Sequence, residues 1–246
     1  LFFVFSGHCD KQYQKLKYKY SENLNLRSDE MIGVIRVFTT ENKAVLNHHG
    51  KIITKLYGLP TDNQCIPNQV LGIYDNSSEQ AAIPKIVELG KKMENEGAKV
   101  LAISCAADPG IEELRKAVSI PVIGAGSAAA LTAFSFGKPV GILGITQDVP
   151  EVMKKILGDL LIGFEVPEGV KNTTDLMKEE GKKKGINAAK SLLNQGAEVI
   201  VFACTGFSTI GLAEQLRNEL KVPIIDAVEA EGQFAAQLYR SFTKVI

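Results

Sequence analysis

The chain has 246 residues, 45% of them hydrophobic, with 28 basic and 28 acidic side chains and a formal net charge of zero. That is enough chain to bury the core of one large domain or two small ones, and its charge balance excludes the clustered positive charge on which nucleic-acid or anionic-membrane binding rests. The longest basic run is Lys182-Lys183-Lys184 and no apolar stretch approaches the roughly 18 residues of a membrane span, so a small-molecule partner in a cytoplasmic setting is expected, with no nucleic acid and no membrane.

In chain order, Leu1-Phe2-Phe3-Val4-Phe5 is apolar but has no basic leader and no small-residue cleavage pattern after it, and it is not read as a signal peptide. Residues 1–30 are expected to be an N-terminal extension, mobile or an artefact of start-site choice, with the functional domain beginning near Met31. From Ile32 onward short apolar runs alternate with amphipathic stretches, the βαβ rhythm of a parallel sheet covered by helices. Strands are predicted at 32–38, 100–104, 122–123, 140–145, 199–203 and 224–225. Helices are predicted at 43–56, 79–95, 112–118, 127–136, 151–157, 175–195, 209–220 and 229–243.

An internal repeat organises these elements. Gly97-Ala98-Lys99-Val100-Leu101-Ala102-Ile103-Ser104-Cys105 aligns with Gly196-Ala197-Glu198-Val199-Ile200-Val201-Phe202-Ala203-Cys204. Leu114-Arg115 then leads to Ile120-Pro121-Val122-Ile123 as Leu216-Arg217 leads to Val222-Pro223-Ile224-Ile225, and Gly33-Val34-Ile35-Arg36-Val37 resembles Gly141-Ile142-Leu143-Gly144-Ile145. The expected fold is therefore α/β, two pseudo-symmetric lobes that are each a parallel sheet flanked by helices. Lobe 1 is assigned to residues 31–125 plus 223–246 and lobe 2 to residues 126–222. Ligands of parallel α/β sheets bind beyond the carboxyl ends of strands, where both repeat cysteines sit. Facing lobes would oppose Cys105 and Cys204 across one cleft.

Two opposed thiols suit proton exchange at a carbon acid: one removes a proton from one face while the other delivers one to the opposite face. After Cys105, Asp108 is a plausible helix N-cap with Pro109 as first helical residue; after Cys204, Ser208 or Thr205 can cap. The backbone N–H groups of these turns offer an anion site. A free cysteine at a strand end is commonly core filler, but two at equivalent positions of a repeat favour a shared chemical role. No CxxC or Cys/His spacing among Cys9, Cys65, Cys105 and Cys204 suggests a zinc site or a disulfide framework.

Cys105-Ala106-Ala107-Asp108-Pro109-Gly110 resembles the Cys-x-x-Asp-Pro-Gly segment of hydantoin racemases. Ala203-Cys204-Thr205-Gly206-Phe207 resembles the second cysteine motif of the same aspartate/glutamate/hydantoin racemase superfamily, and Pro121 to Ala129 is similar to the strand and glycine turn after the first motif. The resemblance implies a two-lobed fold, no cofactor or metal, a possible homodimer, and Cys105 and Cys204 exchanging an α-proton as thiol and thiolate. It implies that Arg36, Thr39, Thr40 and Thr146 hold the substrate from the loops after the first strand of each lobe, with Ala106, Ala107, Ser127, Thr205 and Gly206 contacting it from the turns. Amino-acid racemases of the superfamily usually carry Asn-Thr after the first cysteine and often Thr-His after the second. Ala106-Ala107 and Thr205-Gly206 depart from that pattern and weigh against glutamate or aspartate as substrate.

Other features read more plainly. Gly124-Ala125-Gly126 lacks the third glycine of a dinucleotide fingerprint and is expected to let backbone pass close to a ligand or a neighbouring helix. His48 and His49 point about 100° apart on a helix and are expected to be a solvated or partly packed pair. Cys65 is expected to be structural in a cleft loop, Asp226 or Glu229 to cap or orient, and the charged tract 178–184 to be a solvated helix face. Three alternatives to a two-thiol racemase remain: a one-cysteine isomerase or decarboxylase, a two-lobed binding protein, or a redox pair, which would need the two Cα atoms within about 7 Å.

Overall fold

The computed structural model describes residues 30–243; apart from Glu30, the expected N-terminal extension, with Cys9 in it, lies outside the described residues. From Met31 onward the chain is one compact unit. It holds two four-stranded sheets of parallel strands. The first contains β1 (Met31–Arg36), β2 (Thr61–Cys65), β3 (Ala98–Ser104) and β4 (Val122–Gly124) in the order β2-β1-β3-β4. The second contains β5 (Val140–Leu143), β6 (Leu161–Glu165), β7 (Val199–Phe202) and β8 (Ile224–Ile225) in the equivalent order β6-β5-β7-β8. The repeat in the sequence is thus a repeat of topology.

The helices are α1 (Lys43–Leu46), α2 (His48–Tyr57), α3 (Asn76–Asn95), α4 (Ile111–Ala117), α5 (Ala125–Phe134), α6 (Glu151–Leu157), α7 (Thr173–Leu176), α8 (Gly181–Asn194), α9 (Gly206–Thr209), α10 (Leu212–Glu219) and α11 (Ala227–Phe242). Their buried faces follow helical spacing: α3 buries Ala82, Ile86, Gly90 and Met93 against the first sheet, beside Leu101, Ile103 and Leu114. Each isoleucine, leucine or methionine side chain so removed from water contributes about 1.5–3 kcal/mol. Asp75 starts α3 three residues before the predicted boundary, because it accepts from the Ser78 N–H while the Ser78 hydroxyl accepts from the Asp75 N–H, a reciprocal capping box.

Several expectations need correction. Strands β2 and β6 fell in stretches read as loop, and Cys65 ends β2 beside Arg36 instead of sitting in a loop. Both are edge strands with no fully buried position, so Thr61-Asp62-Asn63-Gln64 needs no apolar alternation. The helix predicted at 43–56 divides at Asn47, that at 175–195 divides between Leu176 and Gly181, and that at 209–220 divides at Gly211, whose φ of 64° is left-handed. Pro223 and β8 belong with the second sheet, since β8 pairs with β7 and the Pro223 carbonyl accepts from Ile200. The changeover to the first half therefore comes at Asp226. The helices that close the halves are exchanged: α5 packs on α6 and β7, whereas α11 packs on α2 and β3.

The arginines of the repeat have matching jobs. Arg115 donates to the Val122 carbonyl and Arg217 to the Ile224 carbonyl, each tying a helix to the strand that follows it.

A carboxylate fastens each cysteine turn to the closing helix, by two different routes. Asp108 does not cap the helix after its own turn; that helix starts at Ile111 behind Gly110, whose φ is 65°. Asp108 itself has φ 52°, and its carboxylate accepts from the N–H groups of Gly126 at 2.6 Å and Ser127 at 2.8 Å, capping α5. In the second half neither Thr205 nor Ser208 makes a side-chain cap at the start of α9. Asp226 caps α11 by accepting from Val228 and Glu229, and the Ser208 hydroxyl donates to it at 2.6 Å. The pair Asp108/Gly124 in one half thus corresponds to Ser208/Asp226 in the other. Gly124 has ordinary extended backbone, φ −108°, ψ 149°, and is needed for space: a Cβ there would collide with the Asp108 carboxylate. Gly124→Ala is therefore expected to cost about 1–3 kcal/mol in urea unfolding, and much less when Asp108 is already serine.

Candidate active site

Where the carboxyl ends of the two sheets meet, residues of both halves line one cavity of about 560 Å³, its open mouth included. The end of β1 brings Arg36, Val37 and Phe38, the loop before α3 brings Gly72 and Ile73, and the end of β3 brings Ser104 and Cys105. The second half contributes Ile145, Thr146 and Pro150 after β5, Thr173 at the start of α7, and Cys204, Thr205, Gly206 and Thr209 after β7. Of the residues predicted for the site, Cys105, Cys204, Arg36, Ala106, Ala107, Thr146, Thr205 and Gly206 come together here.

Thr39, Thr40 and Ser127 do not line it, because each is engaged with nearby backbone. The Thr39 hydroxyl donates to the Ile66 carbonyl and accepts from the Gln69 N–H, stapling the loop before α3. The Thr40 hydroxyl accepts from Asn42, and the Ser127 hydroxyl donates to the Gly124 carbonyl.

Cys65, Cys105 and Cys204 are free thiols. Burial pushes the Cys105 thiol well above its ordinary range, opposed by the Ala107 N–H and reinforced by the neighbouring Cys204 and Asp108. Burial also raises Cys204, to about 11, but the Gly206 N–H, the Thr173 hydroxyl and the Phe207 N–H all pull it back. The Gly206 N–H donates to Cys204 Sγ at 3.3 Å. The two thiols therefore differ in what surrounds them: burial raises both, more hydrogen bonds oppose the rise at Cys204, and charge on either one disfavours charge on the other.

Beneath the thiols lies a buried polar cluster that motif reading missed. His49 is fully buried, not the solvated or partly packed residue expected from the His48-His49 pair. Its Nδ1 lies 2.8 Å from the Ser104 hydroxyl and its Nε2 lies 2.9 Å from the Thr209 hydroxyl. Burial holds its pKa well below the ordinary value, so the ring is neutral. Ser104 Oγ is also 2.8 Å from Oε2 of Glu231, a fully buried carboxyl on α11 that burial raises to about 8. Thr205 closes the cluster by donating to the Ser104 carbonyl at 3.2 Å.

Arg36, 4% exposed, donates from Nη1 to the carbonyls of Val45 and Leu46, and burial lowers it to about 10 against the pull of Glu231. Among the described residues no group of three or more His, Cys, Asp or Glu is placed to hold a metal ion, and no helix is long and apolar enough to cross a membrane.

The family described as Asp/Glu/Hydantoin racemase matches residues 62–235. The chain is 27% identical over 186 residues to a hydantoin racemase of Pseudomonas sp. (strain NS671), covering 69% of this chain and 68% of that protein. An allantoin racemase from Klebsiella pneumoniae has the same fold with a TM-score of 0.72 at 23% identity, covering 89% of each chain. A glutamate racemase from Bacillus anthracis superposes with a TM-score of 0.64 at 16% identity, covering 87% of this chain and 83% of the other.

Because both thiols are raised, their thiolate fractions at neutral pH are small and grow as pH rises. Iodoacetamide labelling followed by peptide mass spectrometry is expected to modify Cys105 and Cys204 slowly at neutral pH, with both rates increasing about tenfold per pH unit toward alkaline pH.

Proposed function

The chain belongs to the Asp/Glu/Hydantoin racemase family and is an isomerase of the racemase type, and from that premise we propose that it racemises a small cyclic carbon acid of the hydantoin class by proton transfer between Cys105 and Cys204. The observation that carries this reading is the presence of both thiols, one from the equivalent turn of each half, in the wall of a single cavity. In one direction the Cys204 thiolate takes the proton from the substrate carbon, forming S–H as the C–H bond breaks. The electron pair moves onto the adjacent carbonyl, and the Cys105 thiol returns a proton to the opposite face. The opposite enantiomer reverses the roles. Each turnover leaves one thiol and one thiolate, which matches surroundings that disfavour two thiolates at once.

The ring class is supported by the cavity's apolar wall of Val37, Phe38, Ile73, Ile145 and Pro150. A neutral ring fits such a wall better than a zwitterionic amino acid, whose two charges would need partners away from water. The hydantoin and allantoin racemases among the relatives point the same way.

A second reading, a one-cysteine isomerase or decarboxylase, draws on the unequal surroundings of the two thiols. The two readings separate in D₂O, with loss of the α-proton followed by NMR and optical rotation measured alongside. The wild type is expected to racemise a 5-substituted hydantoin with deuterium incorporation, and Cys105→Ser and Cys204→Ser each to lose about 10²–10⁴-fold in rate. Full racemisation by either variant would sink the two-thiol reading, and a large loss in one variant alone would favour the single-cysteine reaction.

A further inference from the structure

Glu231 sits in the middle of the apolar face that α11 buries, between Val228 and Ala235, where helical spacing calls for a hydrophobic side chain. It is fully buried and its Oε1 has no hydrogen-bond partner. An ionised carboxylate there would leave half a negative charge unsolvated, whereas a neutral carboxyl leaves only a carbonyl oxygen unpaired. Its remaining oxygen begins a continuous chain: Glu231 Oε2 to Ser104 Oγ at 2.8 Å, Ser104 Oγ to His49 Nδ1 at 2.8 Å, and His49 Nε2 to Thr209 Oγ1 at 2.9 Å. Glu231 is thereby linked to Thr209, which is in the wall of the cavity that holds both thiols.

Every member of this chain can both donate and accept, but each hydroxyl has one proton and a neutral imidazole has one N–H. The three links can run in two directions, and a neutral carboxyl takes the first of them because a proton on Oε1 would have no acceptor. With Glu231 protonated, Oε2–H donates to Ser104, Ser104 donates to His49 Nδ1, and His49 Nε2–H donates to Thr209. The Thr209 proton then has only the long 3.4 Å contact to the Thr205 carbonyl and is available to the cavity. With Glu231 ionised every link reverses, and the Thr209 proton is drawn onto His49 Nε2.

We propose that Glu231, Ser104, His49 and Thr209 form a reversible hydrogen-bond relay in which the state of the buried carboxyl decides whether Thr209 offers a proton to the cavity, making Glu231 and His49 positioning residues for proton transfer between the thiols. Glu231 is faced by Arg36 from β1, Asp108 from the turn after β3 and Asp226 from the start of its own helix, with His49 of α2 beyond Ser104; β4 and α5 carry no titratable side chain. Arg36 favours the ionised form, while Asp108 and Asp226 favour the neutral one, as burial does. The carboxyl loses its proton near pH 8, so below that the cavity has the extra donor and above it the donor is withdrawn. The catalytic consequence rests on the two-thiol reading; the relay does not.

The test is ¹⁵N NMR of the His49 ring in the full chain from about pH 6 to about pH 10. The wild type is expected to carry its ring proton on Nε2 at the acidic end and on Nδ1 at the alkaline end, with the change centred near pH 8. In Glu231→Gln the amide donates to Ser104, the proton stays on Nε2 and the change disappears. Ser104→Ala, which cuts the chain between carboxyl and imidazole, abolishes the change as well and serves if Glu231→Gln fails to fold. A single tautomer across the range in the wild type, or an unaltered change in Glu231→Gln, overturns the relay whether or not the chain racemises anything. With a hydantoin substrate, the growing thiolate fraction raises kcat with pH in both proteins, and the ratio of wild-type to Glu231→Gln kcat is expected to fall about tenfold or more through pH 8, with KM unchanged. Thr209→Ser should retain that fall and Thr209→Val should lose it. A tautomer change without the matching fall in that ratio overturns the positioning role and leaves the two-thiol chemistry to be judged by the cysteine variants.

Discussion

The cavity between the halves depends on how the two cysteine turns are held in place. A thiol at the end of a parallel strand is followed by residues with no ladder to pair with, and its position is set by whatever grips that turn. Here the grip is a buried carboxylate bonded to the first N–H groups of a closing helix. Asp108 reaches from the cysteine turn to the start of α5, while Asp226 sits at the start of α11 and is reached by Ser208 from the other turn. Either way a negative charge meets the positive end of a helix in a place with little water, where such bonds are strong and costly to leave unmade. The two halves keep the bond and exchange the residue that supplies it, which is why Gly124 has no side chain and its counterpart Asp226 has one.

Exchange of the closing helices adds a second constraint. Because α5 leans on the second sheet and α11 on the first, neither half can shift without disturbing the other's core. The polar cluster of Glu231, Ser104, His49, Thr209 and Thr205 spans the same boundary directly beneath the thiols. An apolar filling would have packed there at lower cost in desolvation, so the cluster contributes direction more than stability. It holds the strand end that carries Cys105 against the helix start that follows Cys204.

The readings that succeeded and those that failed have a common pattern. Cys105 and Cys204 were legible because a repeat is visible along the chain, and equivalent positions in a repeat become equivalent positions in space. Arg115 and Arg217 belong to the same logic, each reaching the strand that follows its own helix. Asp108 was misassigned because local capping rules consider only the helix that comes next, and its left-handed backbone turns the carboxylate toward a helix that starts at residue 125 instead. Thr39 and Thr40 looked like substrate ligands by position and are occupied by loop backbone. The edge strands β2 and β6 carry no alternation because neither has a fully buried face. A glutamate inside an apolar helical face was the one available sign of the buried cluster.

By itself the sequence determined the alternation of strand and helix, the duplication and the two equivalent cysteine positions, since all of these are encoded in order, spacing and composition. Tertiary structure alone decided that α5 and α11 change partners, that Asp108 and Asp226 do the same work from different places, and that His49 and Glu231 are buried within reach of Ser104. Those outcomes depend on which side chains meet across contacts of 55 and 127 positions in the chain, and over such separations neither propensity nor periodicity carries information. Only the packing of one half against the other brings the groups together and excludes the water that would otherwise satisfy them.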